Sequence, residues 1–174
     1  TARPAEGADG VSLYDTLVDL MHGEYEVLRL AALRLLGLVL AAAQEALPPP
    51  PGLWARITHA MGGAPLSQRT YSALLDTLVG RPQTVTMRAT DLPSREVAHA
   101  PLLGTLLQLL PAAPPPIQRQ ALQHLEQLCG GSGGNVGALL RTRNWQHWLL
   151  LLLQPERLEG HERKKAAAAA EAAG

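Results

Sequence analysis

The residues that could carry out chemistry are few in this chain, and none of them stands in a catalytic pattern. Nucleophilic catalysis needs a Ser or Cys beside a base, yet no Gly-x-Ser-x-Gly motif occurs, and Cys129, the single cysteine, follows Leu125 and Leu128 in an apolar stretch. We expect Cys129 to be a buried, inert thiol. The six histidines lack the spacing with which two histidines on one helix face bind zinc. The sequence therefore predicts no catalytic residue, no metal site and no cofactor.

Two further motifs combine residues of chemical interest. Asp15 and Asp19 lie four residues apart, which on a helix places both carboxylates on one face, as general acid–base catalysis can require. On an amphipathic helix such a pair is typical of a solvent-facing surface, and we interpret it so. The run Gly130–Gly134 lacks the Lys-Ser or Lys-Thr pair and the preceding strand of a phosphate-binding loop. We predict a flexible turn between helices there.

Composition and charge narrow the class of protein. The chain has 174 residues, of which 47% are hydrophobic and only 3% aromatic, with no Phe. Leu and Ala, both strong helix formers, must build most of the core, which favours an all-α fold. Fifteen basic residues balance fifteen acidic ones, whereas a nucleic-acid-binding protein concentrates positive charge. We expect no nucleic-acid partner, and the apolar runs are too short to cross a bilayer.

The elements that position these residues are predicted from apolar residues at helical spacing. Helices are expected over residues 11–22, 25–46, 53–61, 67–80, 94–110, 117–129, 135–143 and 145–153. The first helix should bury Leu13, Leu17, Leu20 and Met21, and the second Leu28, Ala32, Leu35, Leu36 and Val39. Residues 48–51 are four prolines, which form either a rigid spacer or a proline-rich ligand.

The domain organisation follows from these helices. Residues 1–10 are expected to be a disordered lead-in, and residues 11–158 a set of armadillo/HEAT-like helical repeats with an irregular insertion at 81–97. Residues 159–174 are expected to form a charged, then Ala-rich, C-terminal helix or tail. Because the chain does not begin with Met, we expect it to be a segment of a larger protein.

An internal similarity points to repeats. A shift of about 89 residues lays Leu13, Thr16, Leu17 and Leu20 on Leu102, Thr105, Leu106 and Leu109, and lays Ala32, Leu33 and Leu36 on Ala121, Leu122 and Leu125. Helix hairpins stack in α-solenoids because a single hairpin cannot bury its apolar stripe alone. We therefore predict an all-α, armadillo/HEAT-like α-solenoid of stacked helix hairpins.

Trp145 and Trp148 are the most informative aromatic residues. They lie three residues apart and so share one face of a helix. In a chain with few aromatic residues, two such large rings either pack in the core or form a hot spot that faces a partner. The sequence leaves both interpretations open.

The stretch that begins at Asn135 resembles a motif of the neurobeachin-like BEACH-domain proteins. In that motif an Asn precedes a Leu-Leu pair and a Trp-Gln-x-Trp follows, as do Asn135, Leu139-Leu140 and Trp145-Gln146-His147-Trp148 here. Residues 70–74 and 29–37 are similar to other parts of the same region, so the resemblance spans about residues 11–165. The glycines before Asn135 and the lysine–alanine tail depart from the pattern of the family.

The resemblance implies a non-catalytic, armadillo-like region of a large cytoplasmic scaffold in vesicle and granule trafficking, attached peripherally to membranes. Asn135, Trp145, Gln146 and Trp148 would then form a partner surface or a structural motif. The partners would be other proteins and neighbouring domains of the same parent chain. Two alternatives stay open: a peripheral membrane-surface module that uses the helix at residues 25–46, and an unrelated armadillo/HEAT adaptor.

Overall fold

The structure is a computed structural model that describes residues 12–42, 48–80 and 89–153. The helices in these ranges are α1 (Leu13–His22), α2 (Glu26–Ala42), α3 (Leu53–Gly62), α4 (Gln68–Leu78), α5 (Ala100–Leu109), α6 (Pro115–Gly131), α7 (Gly133–Arg141) and α8 (Trp145–Leu152). Short 3-10 turns at Ala89–Ser94 and Leu110–Ala112 flank α5. No strand occurs in these ranges, so the predicted all-α class is confirmed. The expectations for residues 1–10 and 159–174 concern segments outside the described residues.

The helices stack in two layers. The odd-numbered helices α1, α3 and α5 contact one another in order, while α2 contacts α1 in the facing layer and α4 in its own. The side chains of Tyr71 on α4 and His124 on α6 extend the second layer to α6. A continuous core, made mostly of leucine, lies between the layers. Burying one apolar face of each helix in this way removes it from water, which stabilises the stack.

Caps, a glycine and prolines set several helix ends, and α6 begins two residues before its predicted start at residue 117. The Ser67 hydroxyl accepts a hydrogen bond from the Thr70 amide (3.2 Å) and so caps the start of α4. Gly52 has a φ of +78° and turns the chain from the proline run into α3. Pro115 and Pro116 form the first turn of α6, where a missing N–H leaves no helical bond unmade.

Helices α1 and α2 bury different stripes from the predicted ones. In α1 the buried residues are Tyr14, Leu17, Val18 and Met21, and in α2 they are Ala32, Leu33, Leu36 and Leu40. Leu13 and Leu20 are 42% and 40% exposed, and Leu28 and Leu35 are each 45% exposed. The prediction was wrong for these four leucines, because apolar residues occupy both sides of both helices and periodicity alone does not fix the rotation.

The internal similarity holds at the level of whole helices. A shift of 89 residues moves α2 (26–42) onto residues 115–131, which are the bounds of α6. Ala32 and Ala121 are both buried, as are Leu36 and Leu125. Leu33 and Leu122 differ, since Leu33 is buried and Leu122 is exposed. The two helices therefore share a core face, as repeats of one unit do.

The connection into α5 is longer than predicted. The backbone N–H groups of residues 98 and 99 both donate to the Leu78 carbonyl oxygen (2.9 and 3.2 Å), which fastens the chain to the end of α4. Helix α5 therefore begins at Ala100 and not near Ser94, which belongs to a 3-10 turn. Residues 81–88 of the predicted insertion lie outside the described residues.

The glycine run between α6 and α7 is not the flexible turn that the sequence predicts. Helix α6 continues to Gly131, α7 begins at Gly133, and Ser132 alone separates them. The Ser132 hydroxyl caps α7 by accepting from the Gly134 amide (3.2 Å). A Cβ at position 131 would overlap the backbone carbonyl of Pro93. Glycine is therefore required for a close approach between α6 and the 3-10 turn before α5.

Candidate functional site

Asn135 is a buried connector in the first turn of α7. Its side-chain oxygen accepts from the Val97 N–H (2.8 Å), and its amide donates to the carbonyl oxygens of Arg95 (2.8 Å) and Leu128 (2.8 Å). The side chain is only 2% exposed, and its acceptor and both of its donors are in use. Asn135 therefore fastens the segment before α5 and the end of α6 to α7, and it presents no surface to a partner.

Trp145, Gln146 and Trp148 lie together in α8. Both tryptophans are half-buried and pack against the leucine core, whereas Gln146 is exposed. The His147 ring meets the Trp148 ring edge to face, with centroids 5.0 Å apart and an angle of 71°. Such contacts stabilise aromatic pairs modestly. Since Asn135 bonds to residues 95, 97 and 128, the predicted four-residue motif is divided between two separate interfaces.

A groove across α5 is a surface that the sequence analysis did not find. A cavity of about 390 Å³ lies between α3 and α5, and a second of about 340 Å³ lies between α5 and the end of α7. Pro101, Gly104 and Gln108 line both cavities, because they form the outer ridge of α5 that separates them. We call the two cavities together the α5 groove. The spacing of these small and polar residues within a leucine-rich helix is the sequence signal for it.

The two walls of the α5 groove differ in chemistry. The α3 wall presents the half-buried Trp54 ring and the Thr58 hydroxyl, which lies 2.8 Å from the Trp54 carbonyl oxygen and 2.9 Å from the Thr105 hydroxyl. The opposite wall presents Arg141 and Arg143, both exposed. No residue that lines either cavity is acidic. The groove is therefore neutral and partly apolar at one wall and positively charged at the other.

The titratable groups with shifted pKa values lie at separate helix interfaces. The Tyr71 hydroxyl lies 2.7 Å from Nδ1 of His124, and burial raises the pKa of Tyr71 and lowers the pKa of His124. Burial also lowers the pKa of His99, whose Nε2 has no hydrogen-bond partner among the described residues. Shifted groups that act in catalysis share one cleft, and these do not.

The remaining reactive groups form no assembled site in the described ranges. Cys129 is half-buried, where full burial was expected, and burial raises the pKa of its thiol, which disfavours the reactive thiolate. Among the residues that the structure describes, no cluster of three His, Cys, Asp or Glu side chains is placed to bind a metal ion. In the same part of the chain, no helix is both long and apolar enough to span a bilayer.

The fold now defines the class of protein. Helices that stack in two layers around one core, with a repeat at the level of whole helices, make an α-solenoid. The chain matches the family model of the Neurobeachin/BDCP DUF4704 alpha solenoid region over residues 8–170, and it therefore belongs to this family. The predicted α-solenoid class and the neurobeachin-like resemblance are both confirmed at this level. No curated protein and no solved structure matches the chain.

Proposed function

We propose that this chain is a non-catalytic protein-interaction segment of a neurobeachin-like scaffold in vesicle and granule trafficking. Membership of a solenoid family supports this role, because solenoids offer extended surfaces to their partners. In this proposal the parent protein is cytoplasmic and attached peripherally to membranes. The Ala-, Leu- and Pro-rich composition favours the neurobeachin-like protein 2 branch of the family.

One observation carries the proposal: α2 has a second apolar face that the described residues leave uncovered. We call it the outer stripe, and it consists of Leu28, Ala31, Leu35, Leu38 and Ala42, all exposed. Steps of three and four residues place these side chains on one face of the helix. An exposed apolar patch of this kind marks an interaction site.

The internal repeat gives independent support for an interaction at this end of the stack. Leu13 and Leu20 on α1 are exposed, yet their counterparts Leu102 and Leu109 on α5 are buried. Helix α5 packs on α3, whereas α1 has no preceding helix among the described residues. Helix α1 therefore leaves two apolar positions exposed whose counterparts on α5 are buried.

Helix α8 presents a smaller surface of the same kind. Leu150 in α8 and Leu153, directly after it, are 57% and 71% exposed, and the half-buried Trp145 and Trp148 also lie in α8. Aromatic anchors with apolar and polar neighbours are typical of binding hot spots. In this proposal α8 is a second contact surface for partner proteins.

A pull-down from cytosol tests the proposal with exposed leucines, whose replacement leaves the core intact. The full chain is compared with Leu35→Gln/Leu38→Gln and with the control Leu122→Gln/Leu140→Gln, which alters exposed leucines on α6 and α7. We expect the outer-stripe variant to lose proteins of vesicle or granule trafficking that the wild type and the control capture. Circular dichroism checks that each variant is folded.

Two outcomes would contradict this proposal in different ways. If both double variants capture the same proteins as the wild type, the outer stripe is not the partner surface. If the wild-type chain captures no specific protein, the segment is not an interaction module.

The outer stripe also favours a second candidate function, a peripheral membrane-surface module. Membrane-surface helices combine an apolar face with a strongly basic polar face, but α2 offers only Arg29 and Arg34. Co-sedimentation with anionic vesicles at low salt separates the two functions. Binding that the Leu35→Gln/Leu38→Gln variant loses would favour the membrane over a protein partner.

A further inference from the structure

We propose that the α5 groove binds an extended, acidic peptide segment of a partner protein. This inference rests on the proposed function, because it names one partner chemistry and the place where an interaction segment would hold it. It concerns a surface separate from the outer stripe of α2.

The shape of the groove suits a chain that runs across the helices. Gly104 has no side chain, so the ridge between the two cavities is low at this position. A Cβ there would meet only the Thr142 methyl group, at 3.5 Å. Packed helices lie about 8–10 Å apart, so the path from α3 over α5 to α7 measures about 20 Å. About six residues of extended chain cover that distance. The two cavities, at about 390 and 340 Å³, are of the size of ligand sites.

The ridge offers contacts for the backbone of a peptide, and the α3 wall offers a contact for one of its side chains. Gln108 is exposed on the ridge, and its amide has no hydrogen-bond partner among the described residues. A side-chain amide both donates and accepts, so it can pair with the backbone N–H and C=O of an extended chain. The half-buried Trp54 ring provides an apolar contact for a side chain beside it.

The charge of the groove selects the partner. Arg141 and Arg143 line the α7 side and have no ion-pair partner among the described residues. Nη1 of Arg141 lies 3.2 Å from the point that a Cβ of Gly137 would occupy, so the guanidinium rests on its own helix and not against a carboxylate. By contrast, the guanidinium of Arg56 in α3 forms an ion pair with the carboxylate of Asp15 in α1 (2.5 Å). Arginine binds carboxylates in a two-pronged geometry, which favours Glu or Asp in the partner.

The position of the arginines favours a peptide over a lipid surface. Both residues lie in the wall of a cavity, where a narrow extended chain reaches them. A bilayer is flat on this scale and binds basic residues that project from a convex face or helix. Binding to an anionic membrane is therefore the outcome against which the peptide proposal is tested.

Selection from a random peptide library, with peptides of about twelve residues, tests the proposal on the full chain, since this is roughly twice the length of the groove. We expect the selected peptides to be enriched in Glu and Asp. Their affinities, measured by isothermal titration calorimetry, should fall about tenfold or more in the Arg141→Glu/Arg143→Glu variant, because attraction becomes repulsion. The neutral Arg141→Gln/Arg143→Gln variant should show a smaller loss.

One matched control and one change in the ridge separate the groove from general effects of charge and folding. Arg69→Glu/Arg119→Glu makes the same change of charge on α4 and α6, outside the groove, and should bind the peptides as the wild type does. Gly104→Leu should raise the ridge between the two cavities and so weaken peptide binding. Circular dichroism and thermal unfolding confirm that each variant is folded.

Each remaining outcome overturns the proposal. If the selected peptides are not enriched in acidic residues, or bind both arginine variants as tightly as the wild type, the groove does not bind carboxylates selectively. Failure to select any peptide overturns the proposal, and arginine-dependent binding to phosphatidylcholine–phosphatidylserine vesicles would then assign the arginines to a membrane. If the Arg141→Glu/Arg143→Glu chain still captures its cytosolic partners, the proposed function stands without the groove.

Discussion

At the scale of the residue, Asn135 shows how one side chain can organise a helical stack. The carbonyls of Arg95 and Leu128 and the N–H of Val97 all come from the ends of elements or from connections, where no helical partner is available. A buried backbone group without a partner costs free energy comparable to a lost hydrogen bond. The side-chain amide of Asn135 forms hydrogen bonds with three such groups, so its removal would leave all three without their partner.

We therefore expect Asn135→Ala to be strongly destabilising. Removing a partner from a buried polar group costs about 1–3 kcal/mol, and three groups lose their partner here. Relaxation and water entry reduce the sum, so the free energy of unfolding should fall by about 3 kcal/mol. Urea unfolding measures it. Gln146→Ala, at an exposed position, should change it by less than about 0.5 kcal/mol. Equal effects of the two substitutions would contradict the connector role.

The sequence identified Asn135 as part of a motif but did not assign its role. Residues 95 and 97 lie in the connection before α5, and residue 128 lies in α6, so no local pattern brings these partners together. The tryptophans were more predictable. Their shared helix face follows from a spacing of three residues. Both rings are partly buried, so each packs against the core and also leaves part of its surface exposed.

At the scale of the element, the junction between α6 and α7 is decided by backbone contact. Gly130 and Gly131 both lie in the last turn of α6, but only position 131 approaches the Pro93 carbonyl. A Cβ at position 130 would meet nothing within 4 Å. A backbone contact therefore requires glycine at position 131 only, and substitution distinguishes the two positions.

Alanine at these two positions should have opposite effects. Gly131→Ala forces α6 away from the 3-10 turn at Ala89–Ser94, and a clash of this kind typically costs about 2 kcal/mol. Gly130→Ala improves helix propensity and should stabilise the chain by about 0.5 kcal/mol. Thermal or urea unfolding of the two variants gives the comparison. If Gly131→Ala is as stable as Gly130→Ala, the close approach does not constrain α6.

Most helices could be predicted from the sequence, but their rotation could not. The ends of α3 and α4 follow from prolines, glycines and a serine cap that act within a few residues. The buried face of α2 depends on which neighbour it packs against, because leucines line both of its sides. The α5 groove needs three helices from different parts of the chain, so spacing along one helix indicates only its ridge.

At the scale of the whole molecule, two neutral histidines connect stability to pH. His99 is fastened between α4 and α5, and His124 pairs with Tyr71 between α6 and α4. Burial lowers the pKa of both imidazoles below their ordinary value of about 6.5. As the pH falls, these two imidazoles therefore bind protons in the unfolded chain at a higher pH than in the folded chain. Stability from this source is complete above the ordinary pKa and is lost as the pH falls toward the folded pKa.

We expect the free energy of unfolding to fall between about pH 7.5 and pH 5.5, because the unfolded chain protonates these two imidazoles at a higher pH than the folded chain does. Urea unfolding at both pH values measures the difference. His124→Gln should reduce this change in the free energy of unfolding, because it removes one of the two buried imidazoles. His147→Gln, at an exposed position, should leave the change as it is in the wild type. A wild-type chain that is equally stable at both pH values would show that the buried histidines do not control its acid stability.

The hydrogen bond between Asn135 and the Val97 N–H has a consequence for exchange with deuterium. Val97 lies in a connection between elements, where amide protons normally exchange within seconds because solvent reaches them. Here the donor is held by a buried side chain of α7, so it is released only when that helix separates from its neighbours. Its exchange rate therefore reports the opening of the α6–α7 end of the solenoid, read from a single amide outside any helix.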